Sequence, residues 1–175
     1  MKCTTCTINY KRVAMTIGIV APVNMIVLFG LFMNPVSQQI IFSDAMGQSS
    51  KLVAVWTQTE PIPSLASLAP ALLIMPSIAV VVFARFYDVL PTNDRRIKGL
   101  SFGIMLWALV AVFFELFTPF GLFGEPPILL AYELTLWFIG LSAIGTLMGV
   151  LYGNKNVKET AVAIENWEER NRETI

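Results

Sequence analysis

The sequence contains no histidine and few charged residues for its length. None of its 175 residues is histidine, and only 14% are charged. The absence of histidine removes the usual haem ligand, the most common side-chain ligand of zinc and copper, and the most common general base of enzymes. The low share of charge does not suit a domain surrounded by water. A histidine-dependent enzyme is therefore excluded.

Cysteine is nearly absent, since the chain has only Cys3 and Cys6 in a CxxC pattern. Two thiols cannot complete the four-ligand shell of structural zinc without other ligands. We interpret the pair as reduced thiols on a cytoplasmic tail, with a redox couple, a shared metal or an acylation site as alternatives. No cofactor is predicted, and the presence of a metal is left open.

Neither sign of charge is in excess. The chain has 12 basic and 12 acidic residues and a formal net charge of zero. No overall positive field is present that would attract a nucleic acid. Nucleic acid is therefore not predicted as a partner.

What the sequence has in abundance is long hydrophobic runs, and 55% of its residues are hydrophobic. A helix needs roughly 20 mostly apolar residues to cross the hydrocarbon core of a bilayer. Four runs reach that length: 13–33, 65–86, 99–117 and 128–152. They predict an all-α integral membrane protein, a four-helix bundle that occupies residues 1–153 and has the lipid bilayer as its surroundings.

The basic residues predict how this bundle is oriented. With four spans, both termini lie on the same side, and basic residues favour the cytoplasmic side. Only Lys51 lies in a segment predicted to face outward. The other 11 basic residues fall in the inner segments: Lys2, Lys11, Arg12, Arg85, Arg95, Arg96, Lys98, Lys155, Lys158, Arg170 and Arg172. Both termini are therefore predicted to be cytoplasmic, while the identity of the membrane is left open.

The two predicted outer segments are 34–64 and 118–127. We expect one or two short interfacial elements in the first, with a contact surface for another subunit as the alternative. The second, "TPFGLFGEPP", is rich in proline and glycine, which favours a compact turn between antiparallel neighbours. Asp44, Glu60 and Glu125 are expected to make the outer surface acidic.

The end of the chain, 154–175, is predicted to form a cytoplasmic amphipathic helix. Its acidic content argues against adsorption to anionic lipid and favours docking to a protein. The residues expected on its apolar face recur at helical spacing: Val157, Ala161, Ile164 and Trp167.

Glu115 and Glu133 are the acidic residues that the sequence places inside spans. Counting along the helices from either side of the turn, they reach a similar depth. Facing each other, they would share a proton or bind a cation, because two close carboxylates in a medium of low dielectric constant repel each other. The alternative is that each lies at headgroup level in water or bonds to a local partner such as Tyr132 or Thr118. We name them as candidate ion- or proton-handling residues.

Small and amide residues within the spans suggest helix contacts. Gly145, Gly149 and Gly153 form two overlapping GxxxG patterns, which let another backbone approach one helix face closely. The pattern leaves open whether that neighbour is in the same chain. Asn24 lies near the middle of the first span, two residues after Pro22, and is predicted to form a structural hydrogen bond.

Three function classes follow from these features. The leading prediction is a non-catalytic subunit or accessory protein of a larger membrane complex, with other subunits or a second copy as partners. The second is an oligomeric cation or proton channel or transporter that uses Glu115 and Glu133. A membrane enzyme is least favoured, because the carboxylates and the thiols are predicted on opposite faces.

Overall fold

The computed structural model describes residues 8–43, 46–58, 65–90 and 92–153, and every regular element within these ranges is helical. The helices are α1 (Tyr10–Phe32), α2 (Pro35–Ile41), α3 (Ser50–Thr57), α4 (Leu65–Phe86), α5 (Arg95–Leu122) and α6 (Pro127–Tyr152). Helices α1, α4, α5 and α6 are long and apolar enough to cross a membrane. For the described residues, the prediction of a helical protein with four helices long and apolar enough to span a membrane is confirmed.

Two spans begin earlier than their apolar runs because each helix starts at a polar cap. The side chain of Asn9 accepts a hydrogen bond from the backbone N–H of Arg12 (3.1 Å), so α1 begins before residue 13. Asp94 accepts from the N–H of Arg96 (2.7 Å) and starts α5 before residue 99. Such caps satisfy backbone N–H groups that have no partner inside the helix. The first turn is then polar and lies outside the hydrophobic run.

The end of the third span differs from the prediction, because α5 continues to Leu122 instead of turning after residue 117. The helix widens into π turns over Trp107–Ala111 and Leu116–Leu122. Pro119 lies inside the second of these, and as a proline it has no N–H to donate. The N–H of Phe123 donates to the carbonyl of Thr118, five residues back (3.2 Å), so the wider turn carries the chain past the proline.

Helices α5 and α6 form the most closely packed antiparallel pair. Along their contact, small residues of one helix lie against the backbone of the other. A Cβ atom added at Gly149 would lie 2.9 Å from both the Cα and the N of Gly99, and one at Gly145 would lie 2.7 Å from the Cα of Gly103. Glycine is therefore needed at these positions for the two backbones to approach this closely.

Helix α1 packs against both α4 and α6 and completes the core. Val20 on α1 and Val80 on α4 are fully buried. The rings of Phe83 on α4 and Phe102 on α5 lie 5.1 Å apart and join those two helices at one end. At that same end, Lys98 donates to the carbonyl of Tyr87 (2.6 Å).

The opposite end of the helices carries α2 and α3, which lie between α1 and α4. Asn34 caps α2, accepting from the N–H groups of Val36 and Ser37 (3.0 Å each). The hydroxyl groups of Ser37 and Tyr132 are 2.9 Å apart and link α2 to α6. Two short elements are present in this segment, and their position relative to the bilayer stays a prediction.

Several sequence predictions fall on residues outside the described ranges. These are the amphipathic helix over 154–175 and the pair Cys3 and Cys6. The side of the membrane on which each terminus lies also stays a prediction.

Candidate carboxylate site

Glu115, Glu125 and Glu133 come together at the end of the bundle that carries α2 and α3; we call them the carboxylate cluster. One carboxylate oxygen from each lies within 4.8 Å of the others. Glu115 and Glu125 are each 1% exposed, and Glu133 is 7% exposed. The structure thus brings the two candidates named from the sequence into one buried site and adds a third carboxyl group.

The burial of Glu125 corrects the expectation that it contributes to an acidic outer surface. The connection between α5 and α6 folds back on the bundle at Gly124, whose φ is +71°, a region that favours glycine. The N–H of Glu125 then donates to the carbonyl of Pro119 (3.0 Å), which holds the loop against α5. Pro126 and Pro127 follow at once and start α6. This short return turns the Glu125 side chain inward.

Gln48, between α2 and α3, closes the site from the outer segment. Its amide nitrogen donates to Glu125 Oε1 (2.9 Å) and to the carbonyl of Ile41 (2.8 Å). Its amide oxygen accepts from the N–H of Ser49 (2.7 Å). All the polar groups of this buried side chain are therefore used, and its orientation is fixed.

Trp137 holds Glu115 from the neighbouring helix. Its indole N–H donates to Glu115 Oε1 (2.5 Å), and its ring lies 4.9 Å from the ring of Phe32 on α1. Trp137 follows Glu133 by four residues on α6, so both side chains occupy the same face of that helix. One face of α6 thus supplies a carboxyl group and the donor that orients a second one.

The hydrogen-bond donors around the cluster do not satisfy its acceptors. A carboxylate oxygen of Glu133 lies within 4.8 Å of one oxygen of Glu115 and one of Glu125, and two carboxyl groups can hydrogen-bond to each other only when one of them carries a proton. Glu115 Oε2 and Glu125 Oε2 are buried and have no hydrogen-bond partner among the described residues. A buried acceptor without a donor is costly. Two buried oxygen atoms of the cluster therefore lack a donor among the described residues.

The electrostatic surroundings of the cluster are unfavourable to three full negative charges. Within the described part of the chain, no basic side chain is among the groups that interact with these carboxyls. At 4.8 Å, two carboxylates repel each other by about 3 kcal/mol at an effective dielectric constant of about 20. Burial raises the pKa of Glu125 above its ordinary value, although the hydrogen bond from Gln48 opposes this effect. Protons or a cation must compensate the charge.

A cavity of about 370 Å³ lies beside two members of the cluster. Glu115 and Glu133 form part of its wall, together with Trp137; Glu125 is not among its lining residues in the described structure. Apart from Thr118, the rest of the wall is apolar, and it is supplied by α1, α4, α5 and the outer segment. We call it the apolar cavity.

Oxygen-rich sites of this kind suit hard cations, which take carboxylate ligands. The three carboxyls provide the donor atoms for such an ion, and the cluster equally suits protons shared among them. The arrangement has no nucleophile paired with a base and no histidine. The arrangement of oxygen donors is suited to the binding of positive charge.

None of the other described residues named from the sequence belongs to the cluster. Gly145 and Gly149 contact α5, so the neighbour of this glycine face belongs to the same chain. Gly153 lies against Tyr87 and Arg95 at the opposite end of the bundle, and Asn24 is buried on α1. The residues proposed for docking fall outside the described ranges: Val157, Ala161, Ile164 and Trp167.

Sequence reasoning missed Glu125, Gln48 and Trp137 as members of the site. Trp137 had a usable signal, its spacing of four residues from Glu133 on one helix face. Glu125 had one too, its place in the turn between Glu115 and Glu133, but it was predicted to face outward. Gln48 had none, because it meets Glu125 across 77 positions of sequence.

Comparisons of the chain with protein-family models, with curated proteins and with solved structures find no match.

Proposed function

We propose that the chain is a membrane protein that binds a cation, either a proton or a small inorganic ion, at the carboxylate cluster and passes it across the bilayer. The observation that carries the proposal is the burial of Glu115, Glu125 and Glu133 within 4.8 Å of one another. No basic side chain among the described residues compensates them. Ionisable groups at membrane depth are costly and are usually functional.

The depth of the cluster supports this function. Glu133 lies six residues into α6, which corresponds to roughly 9 Å along the helix axis. A cation at this level has left bulk water and needs ligands from the protein. Widened π turns on either side of Glu115 are of a kind that recurs at functional sites in helices.

The cluster is complete within one chain, so cation binding does not require a second copy. Its three carboxyl groups come from α5, α6 and the connection between them, and its donors come from Gln48 and Trp137 of the same chain. An oligomer would be needed only if several chains together form the rest of the pathway.

The test is a flux measurement on purified protein in liposomes. A potassium diffusion potential is applied, and entry of protons is followed with an internal pH dye, or entry of sodium and rubidium with radioactive tracers. We expect flux above that of protein-free liposomes, and a reduction of roughly tenfold or more in Glu115→Gln and Glu133→Gln.

The matched control is Asp88→Asn, which removes a carboxyl group just after α4, outside the cluster. This variant should retain the wild-type flux. Wild-type flux no greater than that of empty liposomes, or undiminished flux in both glutamine variants, would contradict the proposed function.

We further propose the orientation in which both termini are cytoplasmic, on the basis of the distribution of basic residues. The carboxylate cluster then lies towards the outer face.

This orientation is tested by cysteine labelling. Single cysteines are introduced as Ser49→Cys or Thr92→Cys after replacement of Cys3 and Cys6 by serine. A reagent that cannot cross the membrane should label the first from outside and the second only after permeabilisation; equal labelling of both would contradict this orientation.

One feature that suggested an accessory subunit of a larger complex has another explanation in the structure. The glycine face that suggested a partner helix is occupied by α5 of the same chain. Co-purification of other proteins at a fixed ratio in mild detergent would support an accessory role, and recovery of an isolated monomer would count against it.

A further inference from the structure

The apolar cavity is larger than a bound proton or an inorganic cation requires. Its volume of about 370 Å³ falls within the range of pockets that hold small organic molecules, roughly 300–1,000 Å³. Glu115 and Glu133, both buried, are among the residues that line it. The inference below rests on the proposed function and names a substrate class for the same site.

The cavity lies between α4 and α5 at the end of the bundle that carries α2 and α3, with Leu72 of α4 and Phe114 of α5 in its wall. At the other end the two helices are joined by the ring contact between Phe83 and Phe102. Helix α4 contains two prolines, Pro70 and Pro76, and a proline inside a helix commonly bends it, which opens space beside a neighbouring helix.

Two residues of the cavity wall, Ala71 of α4 and Phe114 of α5, are exposed. An opening between these helices would let a molecule dissolved in the hydrocarbon reach the cavity without crossing the carboxylate cluster. This geometry favours a ligand that partitions into membranes.

The carboxyl and aromatic groups of the cavity wall restrict the class of ligand further. Glu115 Oε2 is buried and has no hydrogen-bond partner within the described ranges, so no donor compensates the negative charge of this oxygen beside the cavity. Trp137 and Phe32 present aromatic rings beside it, which attract cations through their π faces. A neutral apolar molecule would leave the carboxyl groups without a counter-charge. A hydrated inorganic ion would gain no favourable contact from the apolar side chains of the wall.

We propose that the apolar cavity binds a lipophilic organic cation, an ammonium centre that carries an aromatic or aliphatic body. Glu115 and Glu133 compensate the charge of the ammonium group, and the rings of Trp137 and Phe32 lie beside it. The body of the ligand fills the space between α4 and α5. The ligand enters from the hydrocarbon and displaces the smaller cation from the carboxylate cluster.

The experiment uses benzyltrimethylammonium as the probe and neopentylbenzene as its neutral counterpart, in which carbon replaces the charged nitrogen. Binding of the labelled cation to the purified full chain in nanodiscs is measured by equilibrium dialysis. We expect saturable binding of one probe per chain that neopentylbenzene does not displace. Absence of saturable binding, or displacement by the neutral compound as effective as that by the unlabelled cation, would overturn the inference.

Two classes of variant test separately the charge of the carboxyl groups and the space available in the cavity. Glu115→Gln and Glu133→Gln should weaken binding of the probe roughly tenfold or more, because each removes a compensating charge from the wall. Glu125→Gln should weaken it less, since Glu125 is not among the residues that line the cavity in the described structure. Unchanged affinity in both wall variants, or a larger loss in Glu125→Gln than in either, would contradict the assignment.

The second class fills the cavity without touching a carboxyl group. Leu72→Trp places a larger side chain at the cavity wall, whereas Leu73→Trp changes the adjacent residue, which is 42% exposed and is not among the described lining residues. Leu72→Trp should abolish binding of the probe, and Leu73→Trp should leave it within about twofold of wild type. Equal binding by the two variants would contradict a ligand in this cavity.

The flux measurement distinguishes this inference from the proposed function. If the probe does not bind while flux of protons or inorganic cations still depends on Glu115 and Glu133, the organic-cation inference fails alone. If that flux is absent while the probe binds in the expected manner, the proposed passage of inorganic cations fails and the ligand assignment stands.

Discussion

Replacing Gly149 by alanine should weaken the contact between α5 and α6, whereas the same change at Gly18 should not. Both glycines lie inside long helices, so both substitutions gain about 1 kcal/mol of helix propensity. A Cβ at Gly18 meets nothing within 4 Å. A Cβ at Gly149 would lie 2.9 Å from the Cα and the N of Gly99 and closer still to the carbonyl oxygen of Arg95.

The cost at Gly149 follows from what the new atom meets. Its neighbours are backbone atoms of α5, which cannot rotate away as the end of a flexible side chain can. The two helices must separate, and overpacking of this kind costs roughly 1–3 kcal/mol. We therefore expect the free energy of unfolding of Gly149→Ala to lie about 1–3 kcal/mol below that of Gly18→Ala, since their gains in helix propensity cancel.

The assay is unfolding by dodecyl sulfate in mixed micelles, followed by circular dichroism. Gly18→Ala should unfold at the same or a slightly higher detergent fraction than wild type, and Gly149→Ala at a clearly lower fraction than Gly18→Ala. Coincident transitions for the two variants would refute the close backbone contact between α5 and α6.

Three further predictions concern the carboxylate cluster. Trp137→Phe removes a hydrogen-bond donor to a carboxyl group and should lower the free energy of unfolding by roughly 1.5–3 kcal/mol. Trp107→Phe should cost less, because the indole of Trp107 donates to a neutral carbonyl. An equal cost in the two variants would contradict a stronger hydrogen bond at Glu115. Gln48→Leu should destabilise the chain by about 1–3 kcal/mol by leaving Glu125 without its donor, and a cost below about 0.5 kcal/mol would argue against that bond. Burial raises the pKa of Glu125, so at a pH between its unfolded and folded pKa values the folded chain binds more protons than the unfolded chain. The contribution of Glu125 to stability is therefore full below about pH 4.3, the ordinary pKa of a glutamate, and is lost as pH rises through its folded pKa. Glu125→Gln should therefore lose less stability than wild type over that rise, measured by detergent unfolding at a series of pH values, and parallel curves would contradict the shift.

The sequence predicted the membrane-spanning helices because a bilayer requires a length and composition that a single chain displays openly. The predicted span 65–86 coincides with α4, and the predicted span 128–152 covers nearly all of α6. Helix ends were less predictable, since polar caps such as Asn9 and Asp94 lie outside the apolar runs. The π turns around Pro119 were not predicted, because the path of a backbone past a proline depends on its packing.

The candidate site could be predicted only in part. Glu115 and Glu133 were placed near each other by counting residues from the turn, which needs only the rise of a helix. Glu125 was assigned to the outer surface because an acidic loop residue usually faces water, and its burial depends on Gly124 and on the distant Gln48. The apolar cavity could not be predicted from the sequence, because its lining residues come from several separate segments of the chain.

The most direct test of the central claim is the charge displaced when a cation reaches the carboxylate cluster. Purified protein in liposomes is adsorbed to a solid-supported membrane, and the current is recorded after a rapid change in pH or in sodium concentration. The wild-type chain should give a transient current that saturates with the cation, and the triple variant Glu115→Gln, Glu125→Gln, Glu133→Gln should give none. Identical transients from the two proteins, or no transient from wild type with either cation, would contradict cation binding at this site.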